Sequence, residues 1–288
     1  EIMKIFIAGG TGFLGNEIHE KLIKKHNILI GSKKKKSNLK ADISNKKFLN
    51  KIEKFNPDII INCVALTNID KCEKNKKLAY KTNVVVTKNL VSLSEKLNCK
   101  FIHISTDHLY DGQKTKNTEK THKIINYYGL TKKIAEEISL KYKKSLILRT
   151  NFFGISNNGN SNLSWFFENL KEKRSINLIS DIFFSPIHTS TLCKIINLII
   201  KKEIYGIFNI GSADMISKEK FFLLISKILR IKLDYKLIKI KTLIKKYKFI
   251  KRPKLMAMNV SKFQKKFKIK LPKINQEIKK LCNEYKNQ

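Results

Sequence analysis

The chain has 288 residues, of which 42% are hydrophobic, enough for a full core and for one large domain or two lobes. The longest apolar stretches are only as long as strands, so we expect a cytoplasmic protein without a signal peptide or membrane span. The net charge of +37 suggests nucleic-acid binding, but only four of the 60 basic residues are arginines. Because arginine is preferred for bidentate recognition of phosphates and bases, we expect no specific nucleic-acid partner. An RNA-binding function is kept as an alternative that only the charge supports.

Strand-like apolar runs recur at regular intervals, each followed by a longer segment with helical spacing. Such alternation predicts parallel strands with crossover helices, that is, an α/β fold with a doubly wound Rossmann sheet. The rhythm loosens after residue 150, and the C-terminal third is basic and helical. We therefore predict a dinucleotide-binding domain over 1–150, and over 151–288 mainly a smaller substrate-binding lobe interleaved with the sheet. The predicted strands are 4–8, 28–31, 58–62, 101–104 and 145–149.

A glycine cluster follows the first predicted strand and opens the first predicted helix. Glycines at such a turn permit tight backbone geometry and close approach of a pyrophosphate, whose charge is favoured at a helix N-terminus. The pattern therefore predicts a dinucleotide site, although by itself it also fits an ordinary turn between a strand and a helix. The residues assigned to this site are Gly9, Thr11, Gly12, Phe13, Leu14 and Gly15.

The end of the second predicted strand decides which nicotinamide cofactor is expected. An acidic residue there would bind the adenine ribose hydroxyls and favour NAD, but none is present. Ser32 and Lys33 stand there instead and suit a 2′-phosphate. We expect NADPH, and because lysine is abundant in this chain, use of NADH stays open.

The five cysteines are odd in number and widely spread, with no Cys-x-x-Cys pair. This spacing predicts reduced thiols, without a disulfide framework or a zinc site. We expect no metal centre elsewhere, because no cluster of metal-ligating residues is visible.

Tyr128 and Lys132 lie four residues apart in a segment with helical spacing, so they share one helix face. A phenol has an ordinary pKa of about 10, and a nearby ammonium group lowers that pKa toward the range useful for proton transfer. The fourth long apolar run ends in Ser105, Thr106 and Asp107, where ligands bind in open α/β sheets. A chance Tyr-x-x-x-Lys in a lysine-rich helix is the alternative.

These motifs together resemble the extended short-chain dehydrogenase/reductases and, within them, the group similar to dTDP-4-dehydrorhamnose reductase. The resemblance extends over nearly the whole chain. It rests on the glycine turn and on residues 62–70, 104–112, 128–132 and 148–152.

The resemblance implies hydride transfer from a nicotinamide to the 4-keto carbon of a nucleotide-linked 4-keto-6-deoxy sugar, in deoxysugar or surface polysaccharide biosynthesis. Tyr128 would protonate the developing alkoxide, Thr106 would hydrogen-bond the carbonyl oxygen, and Lys132 would hold the nicotinamide ribose and tune Tyr128. The remaining assignments are Asp42 and Ile43 beside the adenine, Cys63, Val64 and Ala65 beside the cofactor, and Thr106, Asp107, Asn151, Phe152 and Arg252 at the sugar nucleotide. Core packing for Phe152 and a structural salt bridge for Arg252 stay open.

Position 108 separates reduction from dehydration. Dehydratases of the superfamily use an acid-base pair after the threonine, usually Asp then Glu, whereas this chain has Asp107 followed by His108. We therefore favour reduction. His108 replaces the reductases' more usual aromatic residue, which leaves the sugar open, and acid-base work by His108 is a second hypothesis because the ordinary pKa of histidine is about 6.5.

Two other interpretations of the function stay open. One is a sugar-nucleotide epimerase or another oxidoreductase of the superfamily that keeps its cofactor bound. Another is a non-catalytic regulatory subunit that binds a cofactor, which the intact Tyr128 and Lys132 pair argues against. The resemblance is also compatible with a homodimer, although the sequence does not fix the oligomeric state.

Overall fold

The computed structural model describes residues 1–33, 39–40, 42–112, 116–156 and 161–287. Up to residue 150 the elements are β1 (Lys4–Ala8), α1 (Phe13–Leu22), β2 (Asn27–Ser32), β3 (Leu39–Lys40), a 3₁₀ turn (Lys46–Phe48), α2 (Leu49–Phe55), β4 (Ile59–Asn62), α3 (Ile69–Lys74), α4 (Lys76–Tyr80), a π-helical turn (Lys81–Val85), α5 (Val86–Lys96), β5 (Lys100–Thr106), a 3₁₀ turn (Asp107–Leu109), α6 (Tyr127–Leu140) and β6 (Ser145–Thr150). The later elements are β7 (Phe152–Phe153), α7 (Asn162–Lys171), β8 (Ile176–Ile179), β9 (Phe183–Phe184), β10 (Ile187–His188), α8 (Thr189–Ile199), β11 (Gly206–Ile210), β12 (Ile216–Ser217), α9 (Lys218–Leu229), β13 (Tyr235–Ile238), α10 (Ile240–Tyr247), α11 (Ser261–Phe267) and α12 (Ile274–Lys286).

The central sheet has seven strands in the order β11-β6-β5-β4-β1-β2-β3. The pairs β1 with β2, β1 with β4, β2 with β3 and β4 with β5 are parallel. The chain winds outward from β1 in both directions, which is the doubly wound arrangement. The predicted fold class is therefore confirmed, and all five predicted strands are present as β1, β2, β4, β5 and β6.

The chain separates into two compact units. Unit 1 comprises Glu1–Thr106, Asn126–Arg149 and Cys193–Phe208. Unit 2 comprises Asp107–Ile125, Thr150–Leu192 and Asn209–Gln288.

Each unit has its own apolar core. In unit 1 the central strands are buried on both faces, so they read as continuous apolar runs, such as Ile59, Ile60 and Ile61 in β4. In unit 2 aromatic rings from two helices pack together, with the ring centroids of Phe166 and Phe222 4.6 Å apart. The five cysteines are free thiols. Of the helices in the described residues, none is long and apolar enough to cross a bilayer.

Glu136 in α6 provides a stability test for unit 1, because its buried carboxylate binds Arg149 of β6 at 2.7 Å. Replacing Glu136 by Leu removes the carboxylate that binds the buried Arg149 charge, so we expect the free energy of unfolding to fall by about 3–5 kcal/mol. Urea denaturation measures this loss. Glu137→Gln is the matched control, since Glu137 forms an exposed pair with Lys133 in the same helix, worth about 0.5 kcal/mol or less. Equal losses in the two variants would contradict the assignment.

Candidate active site

The turn between β1 and α1 requires glycine at two positions. Gly9 has a φ of +78°, in the left-handed region that side chains disfavour. A Cβ atom on Gly15 would lie 2.3 Å from the Gly9 carbonyl oxygen. Helix α1 begins at Phe13 without a side-chain cap on its N-cap residue Gly12 and without an acidic residue in its first turn. The turn is thus a close-fitting cradle at a helix end that favours a phosphate group.

The end of β2 carries a hydroxyl pair and an ion pair. Ser32 Oγ lies 2.5 Å from Thr11 Oγ1 in the glycine turn. Lys33 Nζ lies 3.1 Å from the carboxylate of Asp42, and Lys81 Nζ lies 3.6 Å from the same carboxylate. Two lysines therefore surround one carboxylate and leave a positive charge beside Ser32.

Asp42 and Ile43 belong to a segment that hydrogen bonds hold in place. Burial alone would raise the pKa of Asp42, but hydrogen bonds from Ser44 and Lys33 outweigh this effect and lower the pKa to about 2. The carboxylate is therefore charged at neutral pH. The buried amide of Asn89 donates to the Ile43 carbonyl at 2.9 Å. Ile43 itself is buried, which fits an apolar wall beside a flat ring.

The segment after β4 lies next to the glycine turn. The Cys63 N–H donates to the carbonyl of Ala8 at the end of β1, over 2.9 Å. The Val64 N–H donates to Asn62 Oδ1 at 3.0 Å, and Ala65 follows directly. Burial raises the pKa of the Cys63 thiol to about 12, although Lys132 opposes this effect. Cys63 is therefore a neutral thiol within this segment.

Helix α6 holds Tyr128 in its first turn. The side chain of Asn126 caps the helix by accepting the Gly129 N–H at 2.9 Å. Thr131 Oγ1 donates to the Tyr128 carbonyl and accepts from the amide of Asn83 at 2.9 Å. Tyr128 and Lys132 are both buried on this helix, one turn apart, as the spacing predicts.

Lys132 is fixed from β5. Its Nζ donates to the Ile104 carbonyl at 2.7 Å and lies 3.2 Å from His103 Nε2. Burial lowers the pKa of Lys132 to about 8, although Glu136 and Cys63 raise it. Thr106, also buried, is the last residue of β5, so its hydroxyl stands at the same carboxyl edge of the parallel sheet as the glycine turn.

Unit 2 brings together three of the residues assigned to the substrate. Asn151 Nδ2 donates to the buried carboxylate of Asp107 at 2.7 Å, and Phe152 follows directly in β7, half-buried. Arg252 is also half-buried, with its Nη1 donating to the Ile250 carbonyl at 3.1 Å and its guanidinium 5.9 Å from the ring centre of Phe249.

His108 has a charge environment that local sequence patterns do not reveal. Burial lowers its pKa, and the positive charges of Lys218 and Arg252 lower it further, to about 3. Burial also lowers the pKa of Lys218, which Asp107 raises and Arg252 lowers. These four residues of unit 2 are thus electrostatically linked, and His108 is a neutral imidazole at physiological pH.

Several residues that shape the site have no role in the sequence analysis. In unit 1 these are Asn62, Asn83 and His103, and in unit 2 Lys218. Asn83 is the one with a signal in the sequence, because asparagine is disfavoured inside a helical segment unless its side chain has a hydrogen-bonding role. Lys218 gives no signal in a chain with so many lysines. Across the described ranges, no group of three or more histidines, cysteines or acidic residues could hold a metal ion.

Comparison with known proteins supports the resemblance. The family model described as RmlD substrate binding domain matches residues 3–287. The spore coat polysaccharide biosynthesis protein SpsK of Bacillus subtilis is 28% identical over 222 residues, 76% of either chain. The dTDP-4-dehydrorhamnose reductase of Aggregatibacter actinomycetemcomitans is 28% identical over 214 residues, 70% of this chain and 69% of that protein. A solved structure of dTDP-4-dehydrorhamnose reductase from Bacillus anthracis in complex with NADP superposes with a TM-score of 0.89, at 24% identity, covering 99% of this chain and 100% of that one.

The charge environment of His108 is testable by NMR. We expect its imidazole to stay neutral down to pH 5, because burial, Lys218 and Arg252 all disfavour the charged form. Replacing Lys218 by Met removes one positive charge, so the pKa of His108 should rise. Histidine-labelled protein titrated from pH 7 to pH 4 should show a neutral His108 down to pH 5 in the wild-type protein and an onset of charging at higher pH in Lys218→Met, and His122→Gln leaves the His108 signal as it is. An ordinary pKa near 6.5 for His108 would contradict the environment described.

Proposed function

Because the chain belongs to the RmlD substrate binding domain family, we propose that it is an NADPH-dependent oxidoreductase acting on a nucleotide-linked 4-keto-6-deoxy sugar. In this proposal it reduces the 4-keto group to a hydroxyl during deoxysugar biosynthesis. The observation that carries the proposal is the helix α6 face with Tyr128 and Lys132, beside the strand that ends at Thr106. Relatives named dTDP-4-dehydrorhamnose reductase support the choice of substrate class.

The β1–α1 turn fits a dinucleotide. Side chains at Gly9 or Gly15 would strain or fill the turn, so its backbone is free to approach a pyrophosphate closely. Ser32 and Lys33 would meet the 2′-phosphate of NADPH, and the fixed Asp42 and Ile43 segment would flank the adenine. When bound, the nicotinamide supplies the hydride. Use of NADH stays within the proposal, because Lys33 forms an ion pair with Asp42 and is not reserved for a 2′-phosphate.

The residues of unit 1 handle the proton. Tyr128 would donate its phenolic proton to the carbonyl oxygen as the carbonyl carbon is reduced. Thr106 would hydrogen-bond the same oxygen. The charged form of Lys132 would stabilise the phenolate that remains, because an opposite charge favours an ionised group. Burial of both side chains strengthens this attraction, since the local dielectric constant is low.

Unit 2 would hold the sugar nucleotide, as the predicted lobe over 151–288 implies. Asn151 and Asp107 form a hydrogen-bonded pair that can present polar groups to sugar hydroxyls. Arg252 would take the diphosphate, since a guanidinium binds phosphate oxygens in a bidentate manner. Phe152 would pack against an apolar face of the substrate.

Position 108 favours reduction over dehydration. Elimination of water needs a base, which the carboxylate of a glutamate would supply. His108 is neutral, and its pKa of about 3 makes it a poor base for abstracting a carbon-bound proton.

The experiment that tests the proposal follows NADPH absorbance when purified protein meets a dTDP-4-keto-6-deoxy sugar freshly prepared with its epimerase. Sugar-dependent oxidation of NADPH is expected, and a reaction without the sugar is the control. Cofactor binding without any oxidation would contradict the proposal for this substrate and leave the regulatory interpretation. Nicotinamide released only on denaturation, with substrate epimerised and no net consumption, would identify an epimerase.

Tyr128→Phe tests the proton donor. The variant keeps the ring and loses the proton, so we expect kcat to fall by about 10²- to 10⁴-fold while NADPH still binds. Tyr127→Phe is the matched control, because Tyr127 is the neighbouring tyrosine in the same helix turn. Normal turnover by Tyr128→Phe would refute the mechanism.

Lys33→Ala tests the cofactor preference. Losing a charge-assisted contact with the 2′-phosphate should raise KM for NADPH by about tenfold and leave KM for NADH unchanged. Lys40→Ala, at an exposed lysine of β3, controls for the loss of one positive charge. An equal change for both cofactors would show that Lys33 does not read the phosphate.

A further inference from the structure

His103 is a buried histidine of β5 whose two ring nitrogens both face polar atoms. Nδ1 lies 3.2 Å from Asn62 Nδ2, and Nε2 lies 3.2 Å from Lys132 Nζ. The side chains of Asn62, His103 and Lys132 are each at most 1% exposed. Because water is excluded, these three side chains must find their hydrogen-bond partners among protein groups.

The Asn62 amide has a defined orientation. Its Oδ1 accepts the Val64 N–H at 3.0 Å, so its Nδ2 is the atom that faces His103. The same Nδ2 donates to Thr87 Oγ1 at 3.0 Å, and Thr87 uses its own hydroxyl hydrogen on the Asn83 carbonyl. Each hydrogen bond in this series therefore has a defined donor and acceptor, and Asn62 presents a donor to His103.

This orientation fixes the tautomer of His103. Because Asn62 donates to Nδ1, Nδ1 carries the lone pair and the neutral ring has its hydrogen on Nε2. That N–H points at Lys132 Nζ. A neutral amine can accept it, whereas an ammonium group has only donors. When Lys132 is charged, its ammonium N–H faces the Nε2–H of His103, so two donors oppose each other. The alternative is that the ring hydrogen moves to Nδ1, and His103 then loses its hydrogen bond from Asn62.

We propose that Asn62 and His103 are positioning residues for Lys132, in which Asn62 sets the tautomer of His103 and that tautomer disfavours the ammonium form of the lysine. The inference rests on the proposed function for its effect on turnover. It concerns the same site but adds a pair of residues that touch neither the substrate nor the cofactor in the proposed mechanism.

The other groups around Lys132 act in the opposite direction. Glu136 in the same helix and Cys63 after β4 raise the pKa of Lys132, while burial lowers it to about 8. Burial and Lys132 together hold the pKa of His103 well below its ordinary value, so the ring is neutral. Arg149 of β6 binds Glu136, and Tyr128 lies one turn before Lys132 in α6. Burial thus leaves Lys132 charged at neutral pH with a pKa of about 8, and the tautomer of His103 acts in the same direction as burial.

The consequence appears in the pH dependence of reduction. A lysine with a lowered pKa is fully charged well below pH 8 and loses its charge as the pH rises through that value. Since the charged form stabilises the Tyr128 phenolate, kcat/KM should fall above about pH 8. In His103→Gln the amide oxygen has two lone pairs and can accept from both Asn62 Nδ2 and Lys132 Nζ, whereas the neutral ring has only one lone pair, so the variant favours the ammonium form. The alkaline midpoint should then move up by about one pH unit, a tenfold change in the proton affinity of Lys132.

The test combines this profile with a spectroscopic measurement. ¹⁵N NMR of histidine-labelled full-length protein, with the His103 signal identified by its loss in His103→Gln, reports which ring nitrogen is protonated. At about pH 9.5, where Lys132 is neutral, we expect hydrogen on Nε2 and a lone pair on Nδ1. In Asn62→Asp the carboxylate accepts a hydrogen bond, so the hydrogen should move to Nδ1 and the alkaline midpoint should again rise. His26→Gln, at a histidine that accepts from the Met3 backbone, is the control.

The outcomes separate this inference from the proposed function. An Nδ1-protonated His103 in the wild-type protein at about pH 9.5, or an alkaline midpoint that does not move in His103→Gln, overturns the inference even when turnover depends on Lys132. A uniform loss of kcat at all pH values with the same midpoint shows a merely structural role and also overturns it. Normal turnover by Lys132→Met contradicts the proposed function and leaves the tautomer result standing. If His103→Gln does not fold, Asn62→Asp and the wild-type spectrum decide.

Discussion

Glu136 accepts a hydrogen bond from Ser105 of β5 at 2.6 Å and two from Arg149 of β6, while its own backbone belongs to α6. These contacts are buried in the core of unit 1, where an unpaired charge is costly. The carboxylate thereby fixes the register of α6 against the two strands. Thr106 follows Ser105 directly, and Lys132 lies one turn before Glu136. The geometry of the proposed proton chemistry therefore depends on this one ion pair.

Unit 1 has a second layer of amide contacts that hold backbone segments where a cofactor would pass. Asn62 and Asn83 each use the side-chain oxygen on a backbone N–H and the side-chain nitrogen on a hydroxyl group. An amide suits this purpose because it offers a donor and an acceptor without a charge. The segment after β4 and the first turn of α6 are thus held rigidly by groups that need no proton exchange. Lys132, in contrast, contacts titratable groups that can gain, lose or relocate a proton.

Much of the fold is visible in the sequence, because a buried parallel sheet imposes continuous apolar runs and a dinucleotide turn imposes glycines. The five predicted strands and the helix with Tyr128 and Lys132 follow from local patterns of this kind. The environment of His108 does not, since Lys218 and Arg252 are distant from it in the sequence and Lys218 is one of many lysines. The ion pair between Lys33 and Asp42 is likewise hidden, because no local pattern in the sequence predicts a contact between these two positions. The partners of His103 depend on the register between neighbouring strands, which periodicity cannot reveal.

The most direct measurement of the central claim uses NADPH that carries deuterium at the transferred position, together with the dTDP-4-keto-6-deoxy sugar. NMR and mass spectrometry of the product locate the label. We expect one deuterium on the sugar C4 for each NADPH consumed and a new hydroxyl at that carbon. Unlabelled sugar, or a sugar changed only in configuration while the labelled cofactor is recovered intact, would contradict it.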